Sequence, residues 1–294
     1  MLAFFIASIR RKISVKLNYP TRLKKRSRIL DTLDFDKGRY ISPRQKPGLL
    51  LRIFSSLYVY ARFVAIVFSA SSKAKRGSID HNDIVTSSIK VIRSMERIGV
   101  RFQISGLEYL KDIEGPCIFI SNHMSTLETV TMAAFFPHRR VTFVIKESLV
   151  KYPVFRHILL SMKPIIVSRN NPREDFRQMI ETGSALLQEG ISIIVFPQTT
   201  RTLKFDASRF NTIGIKLARR ANVPVIPVAL KTDVWGNGRL IKEFGPVDPN
   251  KDVFFRFGPP LRIHGTGSRE HQKVIEFIKT NLNSWEEMNT ALPS

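Results

Sequence analysis

The chain has 294 residues, of which 43% are hydrophobic, so it can bury the core of one large domain or of one domain with an appendage. Its formal net charge is +23, and residues 1–50 supply +10 of it, with 13 Lys and Arg against 3 Asp and Glu, which indicates an anionic partner. Cys117 is the single cysteine, which excludes a disulfide within this chain and favours a reducing compartment.

The N-terminal region is basic and then strongly apolar. Its first apolar run precedes its first charges, the reverse of a secretory signal, so we expect no signal peptide. A basic run at 21–28 is followed by an aromatic-rich stretch, 48–70, that has the length of a membrane span of about 20 residues. Arg52 and Arg62 interrupt that stretch, and an arginine near mid-bilayer costs about 2.5–3.5 kcal/mol. Because the two arginines lie about 80° apart on a helical wheel, they can share a solvent-facing side, and we expect a helix in the membrane interface.

Beyond residue 80 the pattern alternates between amphipathic helices and short apolar runs. Helices are predicted over 82–98, 172–188 and 268–288, and buried strands over 117–120, 141–145, 164–167, 191–196, 225–230 and 253–257. Such alternation is typical of an α/β fold in which helices cover a buried sheet. We predict a mixed sheet flanked by helices over 100–294, preceded by an N-terminal membrane-interacting helical segment over 1–99.

A histidine and a carboxylate follow the first of these strands, in the sequence SNHMSTLE from Ser121 to Glu128. On one continuous helix His123 and Glu128 would lie about 140° apart, so they can meet only if His123 precedes the helix and Glu128 lies in its first turn. Ser125 and Glu128 also match a capping box, which would begin such a helix. The pattern leaves open a catalytic pair and a simple helix cap, and the two roles are compatible because a carboxylate has two oxygens.

Cationic and hydroxyl side chains follow three further strands. Arg201 and Thr200 lie in the threonine-rich loop after the fourth predicted strand, Lys146 follows the second and Arg169 the third. Ligands of open α/β sheets gather outside the carboxyl ends of the strands, and arginine with hydroxyls suits a phosphate. Any one of these loops could be an ordinary polar turn. Their convergence favours a site for a phosphate-bearing alcohol that must be deprotonated.

Five sequence blocks, NHMSTLE, KESLVKYP, PIIVSR, VFPQTTRT and VPVIPVAL, resemble in order and spacing those of the glycerolipid, or lysophosphatidate (1-acylglycerol-3-phosphate), acyltransferases. The resemblance covers roughly residues 100–260. It implies that His123 is the catalytic base, that Glu128 is its carboxylate partner, and that Arg201 binds a phosphate, with Arg169 and Lys146 beside it.

The same resemblance implies the reaction. A fatty acyl group would pass from acyl-CoA or acyl-carrier protein to the free hydroxyl of a lysophospholipid acceptor, with 1-acylglycerol-3-phosphate giving phosphatidate as the main expectation. No bound cofactor is expected, and the remaining histidines show no metal-ligand spacing.

The chain departs from the family pattern in two places. Glu128 stands where the family has aspartate, which keeps the charge and lengthens the side chain by one methylene. Gln198 and Thr199 stand where the family has glutamate and glycine, and we expect this to remove a carboxylate beside the acceptor phosphate. The second departure leaves the identity of the acceptor open.

Two alternatives therefore stand beside the main expectation. One is acylation of another lysolipid or alcohol. The other is a catalytically inactive basic protein that binds membranes or nucleic acid, although the run at 22–28 lacks the interleaved aromatic residues of nucleic-acid sites. We expect no nucleic-acid partner, and association with an anionic membrane surface at its cytoplasmic face.

Overall fold

A computed structural model describes residues 32–198, 200–238 and 245–290 of the chain, so the basic run at 21–28 and Thr199 lie outside the described residues. The strands of the described part are β1 (Tyr40–Ile41), β2 (Phe102–Ser105), β3 (Ile118–Ser121), β4 (Val141–Lys146), β5 (Ile165–Val167), β6 (Ser192–Val195), β7 (Val225–Lys231) and β8 (Val253–Phe257). Its α-helices are α1 (Leu49–Ile53), α2 (Ser55–Lys75), α3 (His81–Arg97), α4 (Leu127–Thr131), α5 (Pro153–Ser161), α6 (Pro172–Gln188), α7 (Ile213–Ala221) and α8 (Ser268–Thr290).

The strands form one sheet in the order β1-β2-β8-β7-β3-β6-β4-β5. From β7 to β5 all neighbouring pairs are parallel, so these five strands end at the same edge of the sheet. The pairs β7–β8 and β1–β2 are antiparallel, which makes the sheet mixed. The predicted mixed sheet flanked by helices is therefore confirmed, and all six predicted strands are present within one or two residues of their predicted ends.

Helices cover both faces of the sheet, as strands buried on both faces, such as β3 and β6, require. On one face α6, α7 and α8 contribute Met179, Leu217 and Val274 to a core that includes Ile118 and Ile193 of the strands. On the other face the aromatic turn at 132–136 packs on the strands, and α3 packs on that turn. Phe119 faces this second layer, where it stacks on Phe136, because successive strand residues point to opposite sides.

The predicted helix starts match the observed caps. α6 begins at Pro172, and the side chain of Asn171 accepts a hydrogen bond from the N–H of Glu174 at 3.2 Å. α3 begins with a reciprocal capping box between Asp80 and Asp83. The stretch predicted as one helix over 48–70 consists instead of α1 and α2, separated at Phe54, and α2 continues to Lys75.

Helices α1 and α2 expose a stripe of large apolar side chains, with exposures from 39% to 74%. Its members, which we call the α1–α2 apolar face, are Leu49, Leu50, Ile53, Phe54, Leu57, Val64 and Phe68. The opposite side of α2 buries Val59, Phe63 and Ile66. Arg62 is exposed and lies about 140° from Leu57 on the helical wheel, so it flanks this face without interrupting it.

No helix within the described ranges is both long enough and apolar enough to cross a membrane. Membrane contact of the N-terminal segment and the division of the chain at residue 99 both stay predictions.

Candidate active site

The predicted site residues lie at one edge of the sheet, where the parallel strands end. His123 follows β3, Arg201 follows β6, Lys146 ends β4 and Arg169 follows β5. Since β3, β6, β4 and β5 are successive neighbours, the four loops follow one another along this edge at intervals of about 4.8 Å per strand.

The side chain of Asn122 fixes the position at which the chain leaves β3. Its Nδ2 donates to the carbonyl of Leu230 at 2.8 Å, and its Oδ1 accepts from the N–H of Leu230 at 3.0 Å. This pair of bonds imitates a backbone pairing and extends the β3–β7 contact by one residue. Asn122 is buried, so no water competes for these bonds, and the loop that carries His123 begins from a rigid point.

His123 and Glu128 meet as the spacing requires. His123 precedes α4, Glu128 lies in the first turn of that helix, and His123 Nδ1 is 2.8 Å from Glu128 Oε1. The same carboxylate accepts the N–H of Ser125 at 2.9 Å, while Ser125 Oγ accepts the N–H of Leu127 at 3.0 Å. Glu128 therefore contacts the imidazole and also holds the turn before α4, but the predicted capping box is not formed, since Thr126 is the N-cap residue and makes no side-chain cap bond.

The Glu128 carboxylate is fully buried and densely hydrogen-bonded. Besides His123 and the N–H of Ser125, its donors are the N–H of Met124 at 2.7 Å, Ser125 Oγ at 2.8 Å and Thr232 Oγ1 at 2.6 Å. Burial by itself raises the pKa of Glu128, but the hydrogen bond and charge of His123, with the bonds from Thr232 and Ser125, outweigh it and hold the pKa below its ordinary value. The carboxylate is therefore ionised at neutral pH.

The imidazole of His123 lies at the boundary between this buried carboxylate and an open cavity. Its ring stacks on Phe196 with a centroid separation of 4.3 Å, and 17% of its side chain is exposed. It lines a cavity of about 390 Å³ together with apolar side chains such as Val144, Met179 and Ile213. Because Nδ1 contacts the carboxylate, Nε2 is the ring nitrogen that can accept a proton from a substrate.

The side chain of Gln198 joins two loops of the site. It is buried, its Oε1 accepts the N–H of His123 at 3.1 Å, and its Nε2 donates to Thr202 Oγ1 at 2.8 Å. The N–H of Thr202 in turn donates to the carbonyl of His123 at 3.0 Å. Its side chain thus joins the loop after β6 to the His123 backbone. The side chain points into the protein, and the effect of Gln198, in place of glutamate, on the choice of acceptor stays a prediction.

Arg201 and Thr200 lie in that same loop. The guanidinium of Arg201 donates to Thr126 Oγ1, so it reaches the loop between His123 and Glu128. Thr200 is exposed, and its N–H donates to the carbonyl of Gln198 at 2.7 Å.

Arg169 lines the same cavity as His123, from a different strand end. Its backbone has a positive φ of 63°, a conformation that Asp175 supports by accepting the N–H groups of Ser168 and Arg169 at 2.8 and 2.7 Å. Arg169 is exposed, but partial burial of its guanidinium lowers its pKa, and the charge of Asp175 partly offsets this. Lys146 is exposed at the end of β4 and is absent from the described residues that line the cavity. The structure thus places His123 on Glu128, Arg201 on Thr126 between them, and Arg169 on the cavity that His123 lines, whereas Arg201, Lys146 and Thr200 are not among the described residues that line this cavity.

Two residues of this arrangement, Thr232 and Asn122, were missed by sequence reasoning. Both connect the loop of His123 to the end of β7, which is about 110 residues away in sequence. No spacing along the chain shows that β7 lies beside β3. Within the described ranges, no group of three or more His, Cys, Asp and Glu residues could hold a metal ion.

Comparison with known proteins places this geometry in a family. Residues 101–231 match the family model described as Acyltransferase. The chain is 30% identical over 188 residues to the 1-acyl-sn-glycerol-3-phosphate acyltransferase of Pseudomonas aeruginosa, which covers 64% of this chain and 68% of that protein. It is 27% identical over 138 residues to a chloroplastic 1-acyl-sn-glycerol-3-phosphate acyltransferase of Brassica napus, covering 47% of this chain but only 38% of that one.

A solved structure shares the fold. The crystal structure of the 1-acyl-sn-glycerophosphate acyltransferase of Thermotoga maritima superposes with a TM-score of 0.55 and 22% identity, covering 83% of this chain and 98% of that chain. The family expected from the sequence blocks is confirmed by these matches. The chain belongs to the 1-acyl-sn-glycerol-3-phosphate acyltransferase family.

Proposed function

We propose that this protein transfers a fatty acyl group from an acyl thioester to the free hydroxyl of 1-acylglycerol-3-phosphate, giving phosphatidate. The observation that carries the proposal is the contact of His123 Nδ1 with the buried, ionised Glu128, at a cavity that Arg169 also lines. The names of the relatives in Pseudomonas and Brassica support the same acceptor.

In the proposed reaction His123 Nε2 takes the proton of the acceptor hydroxyl as its oxygen attacks the thioester carbonyl. The tetrahedral intermediate then expels the thiolate, which takes the proton back from the imidazolium. Glu128 keeps Nδ1 protonated and stabilises the cation, and a positioned base of this kind contributes typically about 10²–10⁴-fold. The thioester supplies the activated acyl group, so the reaction needs no bound cofactor, and acyl-CoA or acyl-carrier protein is a substrate.

The acceptor phosphate is assigned to the cations along the same edge. Arg201 lies nearest to the dyad, through its bond to Thr126, and Arg169 faces the cavity. Lys146 and Thr200 are exposed, as Arg169 is, but unlike Arg169 they are not among the described residues that line the cavity, so each would need its side chain to turn toward a bound substrate. A guanidinium binds phosphate through two parallel N–H groups, which suits Arg201 and Arg169 to the inner positions.

The α1–α2 apolar face is the proposed contact with the bilayer, at its cytoplasmic surface. A lysophospholipid acceptor and its product reside in a membrane, and this face exposes seven large apolar side chains on two adjacent helices and the residue between them. Burying such a face in the interface is favourable, and salt does not screen this contribution. Salt does screen the attraction of the basic run at 21–28 to anionic lipid.

Vesicle sedimentation tests this contact. Leu50→Asp combined with Leu57→Asp should weaken binding to phosphatidylcholine–phosphatidylglycerol vesicles at low and at high salt alike. Met288→Asp is the matched control, because Met288 is also an exposed apolar residue but lies on α8, against the other face of the sheet. Undiminished sedimentation of the double variant at high salt would place the contact elsewhere.

A screen of donors against acceptors with purified protein tests the reaction itself. It should show phosphatidate formation from 1-acylglycerol-3-phosphate that His123→Ala abolishes while the fold is kept. Product with another lysolipid or alcohol alone would favour the first alternative. Absence of all transfer, with binding to vesicles or oligonucleotides retained, would favour an inactive binding protein.

A further inference from the structure

Thr232 is a buried hydroxyl that contacts the dyad from a separate part of the chain. It follows β7 directly, is fully buried, and its Oγ1 donates to Glu128 Oε2 at 2.6 Å. Ser125 Oγ lies 2.9 Å from Thr232 Oγ1 and 2.8 Å from the same carboxylate oxygen. Glu128 Oε1 therefore faces the imidazole, while Oε2 faces two hydroxyls.

The segment that carries Thr232 is held at several points. Trp235 is fully buried and its ring contacts Tyr60 and Phe63 of α2 edge-to-face, with centroid separations of 5.4 and 5.2 Å. Asn237 Nδ2 donates to the carbonyl of Met124 at 3.2 Å, within the loop of the dyad. A segment packed in this way has little freedom to move its hydroxyl away from Glu128.

We infer that Thr232 is a positioning residue for the acyl transfer proposed above, since its hydroxyl fixes the orientation of the Glu128 carboxylate and through it the imidazole of His123. Glutamate has one more rotatable bond than the aspartate usual at this position, so a buried carboxylate at 128 needs a second point of attachment to present one oxygen to Nδ1. Thr232 Oγ1 supplies such an attachment on Oε2 from a separate strand end, whereas the hydroxyl and N–H of Ser125, which also bind Oε2, belong to the same loop as His123.

The charged side chains next to Thr232 pair with one another, so the Thr232 hydroxyl is the group of this segment that contacts Glu128. His123 is the ionisable group in contact with the Glu128 carboxylate. Lys231 and Asp233, the neighbours of Thr232 in sequence, pair with each other at 2.9 Å, and Lys251 binds the other oxygen of Asp233. Removing the Thr232 hydroxyl takes away one donor that favours the ionised carboxylate, so the pKa of Glu128 should rise.

The test is Thr232→Val, which removes the hydroxyl at nearly constant volume. We expect kcat to fall on the order of 10-fold with both KM values unchanged, and the loss of activity that follows protonation of Glu128 to begin at higher pH. Thr232→Ser should restore both. Thr131→Val is the matched control, because Thr131 is a buried threonine near the dyad whose hydroxyl donates to the carbonyl of Leu127. If Thr232→Val does not fold, Thr232→Ala takes its place in the same comparison.

A spectroscopic readout separates this inference from the proposed function. The proton on His123 Nδ1 gives a downfield NMR signal while it is hydrogen-bonded to Glu128, whatever the substrate. Thr232→Val should shift or broaden that signal, whereas Thr131→Val should leave it in place. An unchanged signal and rate profile in Thr232→Val, or equal changes in Thr131→Val, would overturn the inference. If the wild-type protein had no transferase activity but Thr232→Val still changed the signal as expected, only the proposed function would be overturned.

Discussion

Replacing Glu128 with glutamine or with alanine separates the catalytic role of this residue from its structural role in the turn before α4. In Glu128→Gln the amide oxygen can keep the bonds from His123 Nδ1 and the N–H groups of Met124 and Ser125. The amide nitrogen then faces Ser125 Oγ and Thr232 Oγ1, and both hydroxyl oxygens can rotate their protons away and accept. The glutamine variant thus loses the charge but few hydrogen bonds.

The expected stability changes differ accordingly. Exchanging charge-assisted bonds for neutral ones should lower the free energy of unfolding by about 1–2 kcal/mol, which is a melting-temperature fall of about 2–8 °C. Glu128→Ala leaves the same fully buried donors without an acceptor, at about 1–3 kcal/mol for each group that water does not reach, so it should lose more than about 3 kcal/mol.

Glu128→Gln and Glu128→Ala should differ in stability but lose kcat to a similar extent. Both lack the negative charge that stabilises the imidazolium, so both should lose about 10²-fold or more in kcat. Calorimetry and initial rates on the same preparations test this. If kcat fell in proportion to the loss of stability, small in Glu128→Gln and large in Glu128→Ala, the role of Glu128 would be structural only.

Acidification gives a further expectation for the same residue. The pKa of Glu128 in the folded protein lies below its ordinary value, so the ionised carboxylate stabilises the fold above the unfolded pKa of about 4.3. This stabilisation is lost as pH falls through the folded pKa. The difference in free energy of unfolding between wild type and Glu128→Gln should therefore close in acid. Arg201→Lys keeps the charge but loses the two parallel N–H donors of the guanidinium. It should raise KM for the phosphorylated acceptor on the order of 10-fold and leave KM for the donor unchanged. An equal rise in KM for an acceptor lacking phosphate would contradict this. Burial raises the pKa of Cys117 to about 11, so a thiol reagent at a pH of about 8 should label the protein only on unfolding, and rapid labelling of the native protein would refute this packing.

Several features of the fold could be predicted from local sequence. The strands and the helices α3, α6 and α8 were predictable because long apolar runs and 3.6-residue periodicity reflect burial directly. β1 and β2 were not predicted, because two and four residues are too few for a pattern, and β1 is a strand only through its pairing with β2. The break at Phe54 also escaped prediction, since the composition there stays apolar on both sides.

The candidate site divides in the same way. Sequence spacing by itself determined that His123 and Glu128 can meet, because both lie within one loop and one helix turn, and it determined which strand ends carry cations. Only the tertiary structure decided that Gln198 points inward to the His123 backbone, and that Thr232 and Asn122 join the end of β7 to this loop. The physical reason is that the backbone geometry of a few residues determines how far apart His123 and Glu128 lie. Contacts between β3 and β7 depend on the order of strands in the sheet, which is set by the packing of the whole core.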